Sequence, residues 1–229
     1  MISDLGRVPY AEALEIQRNV ARDRIAGVVS EDVLLLVEHP PVVTLGRSSK
    51  AGHLTASPAL LAARGVEVFE VERGGDVTFH GPGQLVGYPV IDLKRHRQDL
   101  HWYLRQLEGA LIDALKVLGI TACTRPGLTG VWIETKCDPG VTAPPMRKIA
   151  SIGVHARDWV TWHGFALNVT TDLSYFDLMV PCGIPDVEMT SVARELGTAP
   201  DAGIVRDAVV SALAHRFGLT AVSSLVVGS

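Results

Sequence analysis

The chain has 229 residues, of which 47% are apolar and 20% charged, and a formal net charge of −4. That balance is ordinary for a globular protein, and its length is enough to bury about 70% of the unfolded surface in one large domain or two small ones. No apolar run is long enough to span a bilayer, and the net acidity argues against bulk binding of nucleic acid. The first residues, Met-Ile-Ser-Asp-Leu-Gly-Arg-Val, lack a basic segment followed by an apolar core, so a cytoplasmic location is expected.

In chain order, residues 10–26 carry Ala13, Leu14, Val20 and Ile25 at approximate helical spacing. Val33–Val37 is a continuous apolar run that suits a buried strand, and Pro41–Leu45 reads as another. Val66–Val71 and Leu85–Leu93 are strand-like and flank a glycine-rich stretch. Lys94-Arg95-His96-Arg97 is the densest basic run and reads as solvated surface before a helix. That helix is the clearest in the chain: Asp99 can cap it, and Leu100, Tyr103, Leu104, Leu107, Leu111, Leu115 and Leu118 fall on one face before Gly119 stops it. Val131–Glu134, Ile149–Ala156, Trp159–Thr161 and Phe165–Val169 read as strands, and Ile204–Phe217 as a last helix. Strands in the middle with helices outside predict an α+β fold, with no linker to divide the chain into domains. Asp138-Pro139-Gly140 and Pro144-Pro145 predict an exposed loop within Glu134–Arg147.

Three cysteines, Cys123, Cys137 and Cys182, are odd in number and form no CxxC pair, so neither a disulfide framework nor a zinc site is expected. Cys182 differs in setting, between Pro181 and Gly183 on a turn. A free cysteine is most often a small buried hydrophobe, and a turn cysteine is a candidate nucleophile. Lys148 opens the apolar segment Ile149–Val154. Its simplest reading is an exposed lysine at a strand start, and spacing alone does not bring it to Cys182.

The stretch from 73 to 89 reads Arg-Gly-Gly-Asp-Val-Thr-Phe-His-Gly-Pro-Gly-Gln-Leu-Val-Gly-Tyr-Pro. Its glycines permit positive φ and close backbone approach, and its polar residues stand between two strands, as in a loop that presents a binding surface. A plain glycine-rich hairpin fits the spacing too, whereas the phosphate loops GxGxxG and GxxxxGK[ST] are absent.

The pattern RGGxxTxHGPGQxxxYP resembles the signature of the octanoyltransferases, the lipoyl(octanoyl) transferases of lipoate biosynthesis. Lys148–Val154 with His163–Val169 resembles the second block of that family, Pro181–Ile184 the third, and Glu38–Gly46 its EHPPVYTLG segment, with Val43 where an aromatic residue is common. The matches run in family order over roughly residues 32–195; Glu134–Arg147 is poorly matched.

The resemblance implies a single catalytic domain over 1–229 with the fold of lipoate- and biotin-protein ligases, a mixed sheet with helices packed on one side. It implies a Cys182/Lys148 dyad and three substrate-binding stretches: Arg73, Gly74, Gly75, Asp76, Val77, Thr78, Phe79 and His80; Ser151, Ile152 and Gly153; and Gly164, Phe165 and Ala166. Backbone N–H groups of the glycine-rich loop would serve as an oxyanion hole. His80 and His163 are candidates for orienting Lys148 or the thioester, or are structural histidines. Phe79, Leu85 and Val86 would line an alkyl tunnel, and Arg73 and Arg147 a basic rim. The implied reaction moves octanoyl from octanoyl-acyl carrier protein to a lysine of lipoyl domains, in 2-oxoacid dehydrogenase E2 subunits and glycine cleavage H protein, through an acyl-cysteine thioester and with no cofactor. An ATP-dependent ligase, and an idle carrier-binding module, are the readings from other classes; adenylate formation from free octanoate distinguishes the first.

Overall fold

The structure, a computed structural model, describes residues 1–133, 146–184 and 187–220. The first half holds β1 (Ile2–Arg7), α1 (Tyr10–Ile25), β2 (Val33–Glu38), β3 (Val42–Leu45), α2 (Pro58–Ala63), β4 (Glu67–Glu70), β5 (Val77–His80) and β6 (Gln84–Val90). The second half holds α3 (Leu100–Val117), β7 (Ala122–Arg125), β8 (Leu128–Ile133), β9 (Met146–Arg157), β10 (Val160–Asn168), β11 (Val187–Met189), α4 (Val192–Leu196) and α5 (Ala202–Phe217).

The larger sheet runs β1-β2-β6-β10-β9-β8-β7, with β11 added in parallel to β9. The β1–β2 pair is parallel and the β2–β6, β6–β10 and β10–β9 pairs antiparallel, so the sheet is mixed, as expected. A smaller sheet, β4-β3-β5, packs beside it.

The run Val33–Val37 is apolar throughout because β2 is buried on both faces. Leu34 and Leu36 join Tyr103, Leu107 and Leu111 of α3 and Val209 and Leu213 of α5 in one core. Val33, Leu35 and Val37 join Ala13, Val20 and Ala21 of α1 in another. Helices therefore cover both faces, a correction to the one-sided packing that the resemblance implied: Val86, Tyr88 and Val90 of β6 present a second apolar face, and α1 buries it.

The α3 helix begins where expected, with the Asp99 carboxylate accepting from Trp102 N at 3.0 Å, and Gly119 follows it at φ +81°. Leu100 is exposed rather than buried, since the first turn projects past the core; Leu104 and Leu118 only flank it. Glu108 occupies the core face with no exposure, a position the leucine periodicity did not mark.

Trp159–Thr161 and Phe165–Val169 merge into β10, with Trp159 left in the preceding turn at φ +65°. The run Leu85–Leu93 ends as strand at Val90, because Asp92 caps a short 3₁₀ turn by accepting from Lys94 N. Within Lys94–Arg97, Arg95 donates to Ser30 O at 2.7 Å and His96 contacts Asp32 at 2.8 Å. The loop expected over Glu134–Arg147 lies outside the described residues up to position 145, as does Cys137; Met146 and Arg147 already belong to β9.

Candidate active site

A cavity of about 240 Å³ opens between the two sheets, and the three sequence stretches singled out above converge on it. Glycines make the convergence possible. Gly153 and Gly164 are paired across β9 and β10. A Cβ on Gly153 would stand 2.8 Å from Gly74 O and 3.1 Å from Arg73 Cδ, so only glycine lets the Arg-Gly-Gly loop close over β9. Gly74 N donates to Val154 O at 2.9 Å and fastens that closure.

Arg73 is buried rather than at a rim. Its guanidinium donates to Thr44 O at 2.7 Å and to Gly74 O at 3.0 Å, so it braces the loop from beneath. Burial pushes its pKa down, opposed by the charge of nearby groups including Cys182. Arg147, the other expected rim residue, is held by Glu195 at 2.8 Å.

Along β5, side chains alternate. Thr78 and His80 face the cavity. Phe79 points the other way, into the small-sheet core, where it stacks on Tyr175 at 4.5 Å and packs with Val43. Phe79, Leu85 and Val86 do not form the expected alkyl tunnel, because strand alternation sends each into a different core. Val43 likewise does not line the cavity and packs in the same core as Phe79. The apolar lining comes from Val77, Leu128, Ile152, Phe165, Ala166 and Ile184, with the buried rings of Tyr10 and Tyr88.

Cys182 and Lys148 meet at the cavity. Lys148 Nζ lies 3.1 Å from Cys182 Sγ, and Ser151 Oγ lies 3.8 Å from the same sulfur. Cys182 sits in a 3₁₀ turn with φ +57°, a left-handed conformation costly for a residue with a β-carbon. Lys148 is almost fully buried. Its ammonium also donates to Thr129 O at 3.0 Å and stands 5.0 Å from the Trp132 ring centroid, a cation–π contact. A β-bulge between Val131 and Trp132 shifts the pairing of β8 with β9 at this point, a device that re-aims side chains.

Neither candidate histidine is hydrogen-bonded to Lys148. His80 Nδ1 donates to Gln84 Oε1 at 2.8 Å; Gln84 Nε2 donates to Asn168 Oδ1 at 2.9 Å, and Asn168 Nδ2 to Thr190 O at 2.9 Å. Burial pushes His80 down to about 3, so it is neutral. His163 has φ +55°, its ring lies 3.8 Å from Glu72, and burial lowers its pKa also.

Sequence reasoning missed His53. Its Nδ1 donates to Asp76 Oδ2 at 2.7 Å, its carbonyl accepts from Val180 N at 2.7 Å, and its ring abuts Gly183. A single histidine in a loop carries no local signal of such a partner. Asp76 itself shapes the loop, with Oδ1 accepting from Val77 N at 2.7 Å. Tyr10 and Tyr88 were missed for the same reason: they lie at helical and strand positions that read simply as core.

Among the described residues, no helix is long and apolar enough to cross a membrane, and no group of three or more His, Cys, Asp or Glu is placed to hold a metal ion.

Residues 9–214 match the family described as the lipoyl protein ligase A/B catalytic domain. An octanoyltransferase from Myxococcus xanthus is 48% identical over 93% of this chain, which spans 58% of that longer protein. One from Chloroflexus aggregans is 47% identical over 96% of both chains. In fold, the structure resembles a bipartite lipoate protein ligase from Thermoplasma acidophilum at a TM-score of 0.68 and 18% identity, covering 95% of this chain and 83% of that one. It also resembles the biotin protein ligase of Aquifex aeolicus, at a TM-score of 0.53 and 13% identity, over 95% and 68% of the two chains. The sheet order, the convergent glycine-rich stretches and these relatives lead to one statement: the chain belongs to the lipoyl protein ligase A/B catalytic-domain family and, within it, to the octanoyltransferases.

Proposed function

We propose that this protein transfers an octanoyl group from octanoyl-acyl carrier protein to a specific lysine of lipoyl domains, in 2-oxoacid dehydrogenase E2 subunits and glycine cleavage H protein, through an acyl-Cys182 thioester. The observation that carries this reading is the 3.1 Å approach of Lys148 Nζ to Cys182 Sγ beside an apolar cavity. A cation beside a thiol favours the thiolate, which is the nucleophilic form. The thiolate attacks the carbonyl of the phosphopantetheine thioester. The tetrahedral oxyanion draws on backbone N–H donors of the glycine-rich stretches, and its collapse expels the carrier thiolate, which takes a proton from Lys148. Lys148, now neutral, accepts a proton from the incoming lysine amine as that amine attacks the acyl-enzyme. Collapse forms the amide and returns Cys182 as thiolate beside a protonated Lys148.

Thioester exchange is nearly isoergic and the step to an amide is downhill, so no nucleotide enters. Burial of the octanoyl chain among Leu128, Ile152, Phe165 and Ala166 contributes on the order of several kcal/mol at about 0.8 per methylene. Intact-mass measurement after incubation with octanoyl carrier protein tests the reading. One octanoyl increment on the chain, discharged by a lipoyl domain, is expected. Activity that requires ATP and free octanoate, with adenylate formed, overturns it in favour of a ligase.

A further inference from the structure

Glu108 is a carboxylate with no solvent exposure on the face of α3 that otherwise carries Leu107, Leu111 and Leu115 into the core. Its Oε1 accepts from Gly130 N at 3.0 Å, and its Oε2 lies 2.6 Å from Arg105, whose own side chain reaches solvent. Burial pushes the Glu108 carboxyl up, and the Gly130 N–H and Arg105 oppose that push. A buried charge is expensive, and an apolar residue of similar volume generally serves stability as well or better. Its partner indicates what the carboxyl oxygen is for.

Gly130 holds φ +132°, and a Cβ there would stand 2.5 Å from Lys148 Cε and 3.1 Å from Nζ. The preceding residue, Thr129, supplies the carbonyl that accepts from Lys148 Nζ. The strand is also bulged just beyond, between Val131 and Trp132, so the regular ladder is interrupted next to Gly130. The Glu108–Gly130 bond therefore ties a weakly paired, glycine-bearing segment to a rigid helix at the point where that segment forms both the floor and the hydrogen-bond acceptor for Lys148.

We propose that Glu108 is a positioning residue for the transfer reaction: by holding Gly130 N–H it keeps the Thr129 carbonyl and the Gly130 backbone against Lys148, so that the ammonium points at Cys182. This inference rests on the dyad reading given above. It requires an acceptor oxygen at the reach of a glutamate side chain. Gln at 108 keeps that oxygen, Asp keeps the charge and loses a methylene of reach, and Leu removes the bond.

The test is turnover of the full chain with octanoyl carrier protein and a lipoyl domain, alongside thermal unfolding. Glu108→Gln is expected to keep kcat within about threefold of the parent. Glu108→Asp and Glu108→Leu are expected to lose about tenfold or more in kcat, because a small misplacement of a catalytic group is costly, with KM for the carrier unchanged. Parent-like kcat in either Glu108→Asp or Glu108→Leu overturns the proposal, as does a loss of kcat in Glu108→Gln equal to that in Glu108→Leu. Should Glu108→Leu fail to fold, the comparison of Asp with Gln decides. Lys148→Ala is run in parallel: parent-like activity there overturns the dyad reading itself, whereas its inactivity with a parent-like Glu108→Asp overturns this inference alone.

Discussion

Asp76 Oδ2 occupies the place that a β-carbon on Gly183 would need, and the same oxygen accepts from His53 Nδ1 at 2.7 Å. The Arg-Gly-Gly-Asp loop thus packs directly on the turn that carries Cys182, and the turn takes its left-handed form, φ +57° at Cys182 and +65° at Gly183, against that carboxylate. Gly183→Ala should therefore displace Asp76 and impose a backbone penalty of about 1 kcal/mol or more. The expected outcome is a loss of acyl-enzyme formation well beyond the change in thermal stability. Pre-steady-state acylation compared with calorimetry checks it; parent-like acylation would show that the turn tolerates the shift.

Cys182→Ala should abolish the octanoyl increment seen by intact mass, while Cys123→Ala leaves turnover near the parent. Cys123 lies on β7, opposite Trp132, and does not line the cavity. An increment that persists in Cys182→Ala refutes the nucleophile assignment.

Lys148→Arg should slow transfer to the lipoyl domain more than acylation. A guanidinium keeps the positive charge beside Cys182 but gives up no proton at accessible pH, its pKa lying above about 12. The slot is also narrow, bounded by Gly130, Thr129 and Trp132. Octanoyl-Cys182 should accumulate in single-turnover experiments. Equal transfer rates in Lys148→Arg and the parent would remove the general-base role from Lys148. Neither His80 nor His163 is hydrogen-bonded to it as a replacement, and His53 would be the group to examine next.

Stability should fall between pH 6.5 and 5. His39, locked between Val8 O at 2.8 Å and the Tyr88 hydroxyl at 2.6 Å, is pushed down by burial to about 4, and His80 to about 3. Both folded values lie below the unfolded value of about 6.5, so unfolding takes up a proton at each site across this window. Their stabilising contribution is complete above about pH 6.5 and declines as pH drops toward the folded values, by about 1.4 kcal/mol per pH unit for each histidine. Urea unfolding at pH 7 and 5 measures it. A flat profile would mean that these histidines titrate alike in both states.

Much of the frame was legible in the sequence because it rests on local rules. The leucine spacing and Asp99 mark α3, and the uninterrupted run Val33–Val37 marks a strand buried on both faces. The glycines of 73–83 mark backbone constraint, met at Gly75 and Gly83, but the stretch is not one loop, since Val77–His80 between them pairs with β3 as strand β5; family motifs pointed to Cys182 and Lys148. Local rules failed where two distant segments share one volume. Phe79, Leu85 and Val86 read as cavity walls, yet strand alternation and the placement of three separate cores turn each one away. Arg73 reads as a surface cation and is instead a buried brace, because Thr44 and Gly74 carbonyls surround it.

By itself, the sequence determined the long helices α1, α3 and α5 and the buried strand β2, since each follows from side-chain period over a few neighbours, whereas the short elements β1, α2, β5, β7, β11 and α4 carry too few residues for a period to mark them. Only the tertiary structure decided that Lys148 reaches Cys182 across 34 residues, that His53 and Asp76 brace the turn carrying Cys182, and that Glu108 holds Gly130 beneath Lys148. Those pairings are set by the register of β8 on β9 and by the glycines that let the loops close, relations between segments that no local periodicity encodes.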